Sequence, residues 1–185
     1  EGGYGKLLHL AKRGGGKILC ECCHFFDFLR WFLASEPVRI FCEGYRDDQN
    51  CVTLRFADGS VGSIVSGGNG SLAYPKERLD INTHYGTIIG DFFTELWAVR
   101  CGPDSGRRTF PATIGGKSRR LNGRRYALEV GRWRESVTEE QRATGHYFGH
   151  YPDVNKGHAA QLEYFRRQIV DGAPVETDVV RGALA

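Results

Sequence analysis

The sequence contains no run of apolar residues long enough to cross a membrane. A membrane-spanning helix needs about 20 consecutive, mostly apolar residues, and Asp27 and Arg30 interrupt the most apolar segment of the chain. The composition is 41% hydrophobic and 25% charged, so it also lacks the low hydrophobicity that is typical of disordered proteins. We therefore expect the 185 residues to form a single soluble domain, 1–185, with one hydrophobic core.

A disulfide framework and a strong excess of charge are missing as well. The six cysteines lie at positions 20, 22, 23, 42, 51 and 101, without the regular spacing of disulfide-rich secreted domains, and a domain of this length is stable without disulfides. We expect reduced thiols in a cytoplasmic protein. The net charge of +3 is too small to indicate nucleic acid, so neither nucleic acid nor a membrane is expected as a partner.

The fingerprint of a dinucleotide-binding domain is also absent. No Gly-x-Gly-x-x-Gly follows a predicted strand, and "GGNG" at 67–70 is not followed by a predicted helix. Because that fingerprint places the cofactor diphosphate at a helix N-terminus, we do not expect this chain to bind a nicotinamide cofactor unaided. The chain has no methionine and no charged-then-apolar leader, which suggests a piece of a longer protein.

The segment from residue 14 to residue 37 predicts a short strand that leads into a helix. After three glycines, residues 17–20 have the pattern of a short strand. Apolar side chains then recur at the helical spacing i, i+3, i+4, i+7 and i+8, namely Phe25, Phe28, Leu29, Phe32 and Leu33. The helix should end before Pro37, because the residue that precedes a proline disfavours the helical conformation.

The next part of the chain predicts a β-sheet. Five segments are rich in β-branched and aromatic residues, and they lie at 38–45, 51–56, 78–83, 87–92 and 94–101. In "LRFADGSVGSIV", Asp58-Gly59 predicts a tight hairpin turn with positive φ angles. Strands that follow one another without helices between them favour antiparallel pairing. We predict an α+β fold, with an open mixed, largely antiparallel β-sheet and helices packed on one face.

The segment 102–134 predicts mainly loops, with a strand-like pattern only at 126–130. It is rich in glycine and holds nine basic residues against Asp104 and Glu129. Such a surface is typical of a solvated basic loop, and contacts with a phosphorylated or nucleotide-linked substrate, or with RNA, stay open. Further along, 156–171 predicts a helix that Gly172 ends, with one apolar face that consists of Ala159, Leu162, Phe165 and Ile169.

The "CECCH" segment raises the possibility of a metal site. On a helix, Cys20, Cys23 and His24 would lie at i, i+3 and i+4 and share one face. His146 and His150 in "HYFGH" offer a second pair of ligands for tetrahedral zinc. Free cysteine is also a common small core residue, and Cys22 and Cys23 are neighbours that point apart. We therefore expect no metal, with zinc held by Cys20, Cys23, His146 and His150 as an alternative.

The same segment holds a candidate acid–base pair. His24 and Asp27 lie at i, i+3 in the first turn of the predicted helix, so the carboxylate could orient or charge-stabilise the imidazole. Histidine is the side chain that exchanges protons most readily near neutral pH. A surface ion pair or a helix cap would show the same spacing, and both interpretations stay open.

Five stretches, taken together and in this order, resemble a known family. They are "GGGKILCECCHFFDFLRWFLASEPV", "VTLRFADGSVGSIV", "PKERLDI", "IIGDF" and "KGHAAQLEYF". The ensemble resembles the C-terminal domain of the glucose-fructose oxidoreductase / inositol dehydrogenase / MocA family, especially members encoded beside polysaccharide-building enzymes. The resemblance covers most of 14–100 and 155–185, and it implies an NAD(P)-dependent sugar or polyol dehydrogenase whose N-terminal Rossmann domain is missing from this chain.

The resemblance also implies roles for individual residues. The family histidine matches His24, which would move the proton of the hydroxyl being oxidised while hydride passes to NAD or NADP, bound mainly by the missing domain. Many members place an aspartate where this chain has Cys20, and Glu21 and Asp27 are the nearest carboxylates. With Glu21, Asn69 and Lys76 are candidate contacts to a sugar, nucleotide-sugar or polyol substrate.

In such enzymes this domain is an open sheet with helices on one face, and the exposed sheet face often builds a dimer or tetramer. The resemblance therefore implies a homo-oligomer. The same fold could instead be a non-catalytic binding or scaffold module that assembles through its sheet face, and this alternative stays open.

Overall fold

A computed structural model describes residues 16–44, 49–67, 70–71, 73–144 and 151–174. The chain divides into two compact units. The described part of the first unit comprises 16–67, apart from 45–48, and 173–174, and that of the second comprises 70–172 with the gaps given above. Each unit has its own cluster of buried apolar side chains, and the single domain expected from the chain length stays a prediction.

The described part of the first unit contains a helix, α1, that spans Cys23–Leu33 and is preceded by a π-helical turn at Ile18–Cys22. The strand predicted for 17–20 is therefore wrong. Helical winding places Cys22 one turn before Phe26 on one side of the helix, and Cys22 is buried in the core of this unit. The helix ends at Ala34, which adopts the left-handed conformation, just before Pro37 as expected.

Helix α1 packs on one face of a three-stranded antiparallel sheet. The strands are β1 (Pro37–Gly44), β2 (Asn50–Phe56) and β3 (Val61–Ser66), in the order β1-β2-β3. The buried sheet residues and the helix residues that pack against them form one cluster, which contains Cys22, Phe26, Leu29, Leu33, Val52, Leu54, Phe56 and Ile64. The observed core-facing side of α1 differs from the predicted apolar face. Phe25 and Phe32 are exposed, whereas Phe26 packs against the core.

Gly62 allows the close approach of this helix to the sheet. A Cβ atom built on Gly62 would lie 2.9 Å from Cδ1 of Leu29, which is closer than carbon atoms in contact normally come. A larger residue at this position would force the side chain of Leu29 to shift within the cluster.

The predicted hairpin between β2 and β3 is confirmed. Gly59 has a φ of 90°, whereas Asp58 stays outside the left-handed region, so glycine alone supplies the positive φ. The amide of Phe56 donates to the carbonyl of Ser60 at 2.9 Å. The carboxylate of Asp58 accepts hydrogen bonds from the amide (3.0 Å) and the hydroxyl (2.8 Å) of Ser60.

The Asp58 carboxylate gives the hairpin a pH dependence. The hydrogen bonds from the Ser60 amide and hydroxyl hold the pKa of Asp58 below its ordinary value, so its contribution to stability is present above pH about 4 and lost as the pH falls further. We expect Ser60→Ala to remove one donor and to raise the pKa of Asp58 partway toward the ordinary value. An NMR titration of the Asp58 carboxyl carbon measures this shift, and an unchanged pKa would contradict the assignment.

The second unit contains two further antiparallel sheets. The first is a meander in sequence order, of β4 (Arg78–Asn82), β5 (Thr87–Asp91), β6 (Glu95–Val99) and β7 (Gly106–Thr109), with a 3₁₀ turn at Gly102–Asp104. The second has the order β10-β8-β9 and contains β8 (Pro111–Ile114), β9 (Lys117–Arg120) and β10 (Asp153–Val154). The helices are α2 (Gly123–Ser136), α3 (Glu139–Thr144) and α4 (His158–Val170).

The loops predicted for 102–134, and the strand at 126–130, are wrong. Helix α2 begins where the side chain of Asn122 accepts a hydrogen bond from the amide of Arg125 at 2.9 Å, a typical N-cap. Its buried residues lie at helical spacing, namely Gly123, Tyr126, Ala127, Val130 and Gly131. The density of glycine and arginine obscured this pattern.

Helix α2 provides the centre of the second core. Tyr126 is completely buried, and its ring meets that of Phe92 edge-to-face with centroids 4.8 Å apart. Its hydroxyl donates to the carbonyl of Pro152 at 2.6 Å. The buried carboxylate of Glu95 accepts from the amide of Gly123 at 3.0 Å and pairs with Arg107, so an internal anion neutralises the positive end of α2.

The predicted fold class is confirmed as α+β with antiparallel sheets. All strand pairs of the described residues are antiparallel, and they belong to three hydrogen-bonded sheets. The late helix is also confirmed, although Leu162, Phe165 and Ile169 on α4 are exposed. None of the helices in the described ranges is long and apolar enough to span a membrane.

Candidate functional site

His24 lies in the first turn of α1, on the side of the helix that points away from the sheet. Phe26, Leu29 and Leu33 pack against the sheet, whereas His24 is exposed. Phe28 and Trp31 follow His24 at i+4 and i+7 and therefore share its side of the helix. The predicted acid–base residue thus lies on a helix face that its own core does not use.

This face is aromatic. The ring of Phe28 lies 6.0 Å from that of Trp31 and is stacked with that of Phe32 at 5.8 Å. Trp31 is 75% exposed. Much of its large apolar surface is therefore in contact with water, which is unfavourable. The face of α1 that carries His24 therefore also carries a group of aromatic rings.

Asp27, the predicted support of His24, is exposed one residue before Phe28. In the described part of the chain no hydrogen bond joins Asp27 to His24. The pKa of Arg30 is raised chiefly by its hydrogen bond to Glu36, and the charge of Asp27 adds to this effect. The negative charge of Asp27 therefore acts on the same helix surface, and its role beside His24 stays a prediction.

The remaining candidates from this segment lie in the π-helical turn. Glu21 is half-buried in that turn, directly before the buried Cys22. Cys22 is part of the core, so for this cysteine the interpretation as a core residue is confirmed. The five cysteines whose side chains the structure describes are free thiols, at positions 22, 23, 42, 51 and 101.

Lys76 lies in the second unit, just before β4, and its side chain is exposed. Its ammonium nitrogen is 3.4 Å from Oε1 of Glu77, and the ammonium of Lys156 donates to the same oxygen at 3.0 Å. Sequence reasoning missed Glu77 and Lys156, although "PKERLDI" and "KGHAAQLEYF" contain them. The candidate Asn69 lies outside the described residues.

The zinc alternative cannot be assembled from the described side chains. No group of three or more His, Cys, Asp or Glu side chains within the described ranges is arranged to hold a metal ion. His146 and His150 lie outside those ranges, and the side chain of Cys20 is not described. The zinc alternative therefore stays open.

Most of the basic segment 102–134 lies in strands and in helix α2, and several of its charged side chains bind other residues of the chain. Arg107 pairs with Glu95, Arg108 with Asp104 at 3.1 Å, and Arg120 donates to the carbonyl of Thr109 at 2.5 Å. The cationic side chains of four further residues are exposed and have no hydrogen-bond or ion-pair partner in the described part of the chain, namely those of Lys117, Arg119, Arg124 and Arg125.

The described residues do not fit the diphosphate of a nicotinamide cofactor. Two strands lead into helices in the second unit, at β9–α2 and β10–α4, and neither junction contains the glycine-rich turn that such a diphosphate needs. At the start of α2, the carboxylate of Glu95 already accepts the amide of Gly123, and its negative charge would repel a phosphate.

Comparison with known proteins gives a fold. No family model and no curated protein sequence matches the chain. Among solved structures, it is similar to the UDP-N-acetylglucosamine 3-dehydrogenase GnnA from Acidithiobacillus ferrooxidans, with a TM-score of 0.52, 15% identity and coverage of 89% of this chain and 42% of that chain. A probable dehydrogenase from Thermotoga maritima matches with a TM-score of 0.32, 17% identity and coverage of 78% and 43%.

The chain thus spans less than half the length of these two proteins. The likeness to the first of them shows a shared fold, and this fold is the one that the resemblance to the glucose-fructose oxidoreductase / inositol dehydrogenase / MocA family implies.

Proposed function

We propose that this chain is the substrate-binding domain of an NAD(P)-dependent oxidoreductase of the cytoplasm. Its substrate would be a hydroxyl group of a sugar, a nucleotide sugar or a polyol. The observation that carries the proposal is the position of His24, exposed beside Phe28 and Trp31 on the face of α1 that the core does not use. The fold shared with a UDP-N-acetylglucosamine 3-dehydrogenase supports it.

The role of this chain in such a reaction would be to accept the proton of the hydroxyl group. When an alcohol is oxidised to a carbonyl, the O–H bond must lose a proton as the carbon loses hydride, and an imidazole nitrogen of His24 can accept that proton. The nicotinamide would accept the hydride, and a second domain would hold it. Exposed aromatic rings beside the histidine would cover the substrate and exclude water from it.

The proposal predicts what the natural gene encodes. We expect the reading frame upstream of Glu1 to contain a strand followed by Gly-x-Gly-x-x-Gly and a helix, within a domain of about 100–150 residues. Determining the coding sequence tests this expectation. A frame without such a segment would remove the main support for a cofactor domain and would favour the non-catalytic alternative.

We also propose that the chain assembles through the outer face of the β1-β2-β3 sheet. On this face, opposite to α1, register places Phe41 beside Thr53 and Val65 beside Cys51. Phe41, Val61 and Val65 are exposed, Val65 by 83%. Apolar side chains that are exposed on one sheet face can mark an interaction surface, and such a surface would serve a scaffold module as well as an oxidoreductase.

The assembly can be tested by sedimentation velocity. We expect Val65→Lys to shift the natural protein from oligomer toward monomer, because a charge would be desolvated in the interface. Tyr85→Lys, at an equally exposed site in a turn of the second unit, is the matched control and should leave the oligomer intact. A monomeric unmodified protein, or an oligomer that tolerates Val65→Lys, would contradict assembly through this face.

A further inference from the structure

Glu77 brings two lysines from distant parts of the sequence to one carboxylate oxygen. Lys156, which lies between β10 and α4, donates to Oε1 of Glu77 at 3.0 Å, and the ammonium of Lys76 is 3.4 Å from the same atom. We call these three residues the lysine pair with its carboxylate. Their charges sum to +1, so the group has a surplus of positive charge.

The two ammonium groups and the carboxylate of this group all have unused hydrogen-bonding capacity. An ammonium carries three donors, and Lys156 spends one on Glu77 while Lys76 makes no hydrogen bond to any described residue. The second carboxylate oxygen of Glu77, Oε2, is buried and has no hydrogen-bond partner among the described residues. A buried polar atom without a partner is uncommon, and each such atom calls for an explanation, such as a bound ion or a functional role.

Aromatic side chains border the lysine pair. The ammonium of Lys156 lies 5.3 Å from the ring centroid of Phe93, and that ring is 48% exposed. Phe92 and Phe93 have φ angles of 53° and 57°, a left-handed conformation that is unfavourable for bulky residues and that is typically retained where a function requires it. The strained turn thus holds an exposed ring against the lysine pair.

Tyr151 lies within electrostatic range of the same group. Burial raises the pKa of Tyr151, and the charge of Lys76 lowers it while that of Glu77 raises it. Its ring meets Trp133 edge-to-face, with centroids 4.7 Å apart. A tryptophan therefore lies next to this region, where its fluorescence can report binding.

We propose that Lys76 and Lys156 bind the phosphate group of a phosphorylated sugar, and that Phe93 contacts the ring of that sugar. A phosphate dianion accepts several charge-assisted hydrogen bonds, which matches the unused donors of two adjacent ammonium groups. Glu77 holds these groups side by side in the absence of ligand and limits their surplus charge. The inference rests on the proposed function, and the class of ligand that it names is sugars that carry a phosphate, such as sugar phosphates or nucleotide sugars.

The test measures ligand binding by the 185-residue chain, by calorimetry and tryptophan fluorescence. Glucose 1-phosphate and glucose are the paired probes, since they share one ring and differ in the phosphate, and inorganic phosphate tests the contribution of the ring. We expect glucose 1-phosphate to bind more tightly than inorganic phosphate, and glucose to bind about tenfold or more weakly than glucose 1-phosphate. Equal binding of glucose and glucose 1-phosphate, or none of either, would overturn the proposal.

Two substitutions with opposite expected effects on affinity make the test specific. Lys76→Met should weaken binding of glucose 1-phosphate about tenfold, and Lys117→Met, an exposed lysine on β9, should leave it unchanged. Glu77→Gln raises the surplus charge from +1 to +2, so it should tighten binding about threefold or more. If the group were only a structural ion pair, neither Lys76→Met nor Glu77→Gln would change affinity, and the proposal would be wrong.

Thermal unfolding of each variant shows whether it is folded, and Lys156→Met is the second variant should Glu77→Gln not fold. Lys156→Met should weaken binding as Lys76→Met does, and unchanged affinity would overturn the proposal. Binding is measured without nicotinamide and without turnover. Failure of the proposed oxidoreductase activity would therefore leave this result standing, and loss of phosphate binding would leave the role of His24 untouched.

Discussion

Replacing His24 by alanine in the protein of the natural gene is expected to lower turnover by about 10²-fold or more. The reason is that an alcohol must lose its proton as hydride leaves, and His24 is the exposed imidazole on the free face of α1. We expect the loss in kcat rather than in KM, because the interaction develops in the transition state. Steady-state kinetics with the natural substrate and NAD or NADP measures it.

A matched control separates a specific role of His24 in turnover from a general effect of removing an exposed histidine. His84→Ala changes another exposed histidine, in the turn between β4 and β5, and should leave turnover unchanged. Near-normal turnover of His24→Ala would exclude His24 from the mechanism.

Replacing Tyr126 by alanine is expected to lower the free energy of unfolding by about 3–5 kcal/mol. Tyr126 is completely buried at the centre of the second core, against Phe92, so truncation leaves a cavity where the ring was. Urea denaturation followed by circular dichroism measures the change. A loss of less than about 1 kcal/mol would contradict this position for the ring.

Two further variants separate the ring from its hydroxyl. Tyr126→Phe keeps the ring but leaves the carbonyl of Pro152, which accepts from the hydroxyl at 2.6 Å, without this donor, at an expected cost of about 1–3 kcal/mol. Tyr85→Ala removes an exposed ring (80%) and should change stability by no more than about 0.5 kcal/mol.

The same tyrosine predicts a loss of stability in alkaline solution. Burial raises the pKa of Tyr126 well above its ordinary value. The contribution of the protonated hydroxyl to the free energy of unfolding is therefore complete below pH about 10 and is lost as the pH rises further. Tyr126→Phe should have a flatter stability profile above that pH. Some dependence should remain, because burial also raises the pKa of Tyr151. An unchanged slope in Tyr126→Phe would contradict the burial of this hydroxyl.

Local signals were sufficient for the elements that contain them. The β2–β3 hairpin has alternating burial and an Asp-Gly turn, and the strand segments from 37 to 99 are rich in residues that favour strands. Each of these elements could be predicted because its pairing partner lies next to it in the sequence. The late helix was equally visible, since glycine at position 172 marks its end.

The wrong predictions concern features that depend on tertiary contacts, which a local sequence pattern does not reveal. Helix α2 buries only a narrow stripe around Tyr126 and Val130, and its many arginines suggested a loop. The face of α1 was misjudged because the sequence offers aromatic residues on several sides, and only the sheet selects Phe26 and Leu29. Tertiary packing thus decided between patterns that were similar in the sequence.

The candidate site divides in the same way. His24 could be chosen from the sequence because the family resemblance pointed to it, and the structure adds its exposure and its aromatic neighbours. The pairing of Glu77 with Lys156 could not be chosen, since the two residues are far apart in the sequence and no local spacing relates them. Long-range ion pairs are set by the fold alone.

Binding of NADH and NADPH by the protein of the natural gene, compared with binding by this 185-residue chain, tests the central claim most directly. Energy transfer from tryptophan to the reduced nicotinamide measures both affinities. If the chain is the substrate-binding domain of a nicotinamide-dependent oxidoreductase, the natural protein should bind one of the two cofactors, at micromolar concentration or below, and the chain alone should bind neither. A natural protein that binds neither cofactor, or a chain that binds one as tightly as the natural protein does, would contradict the claim.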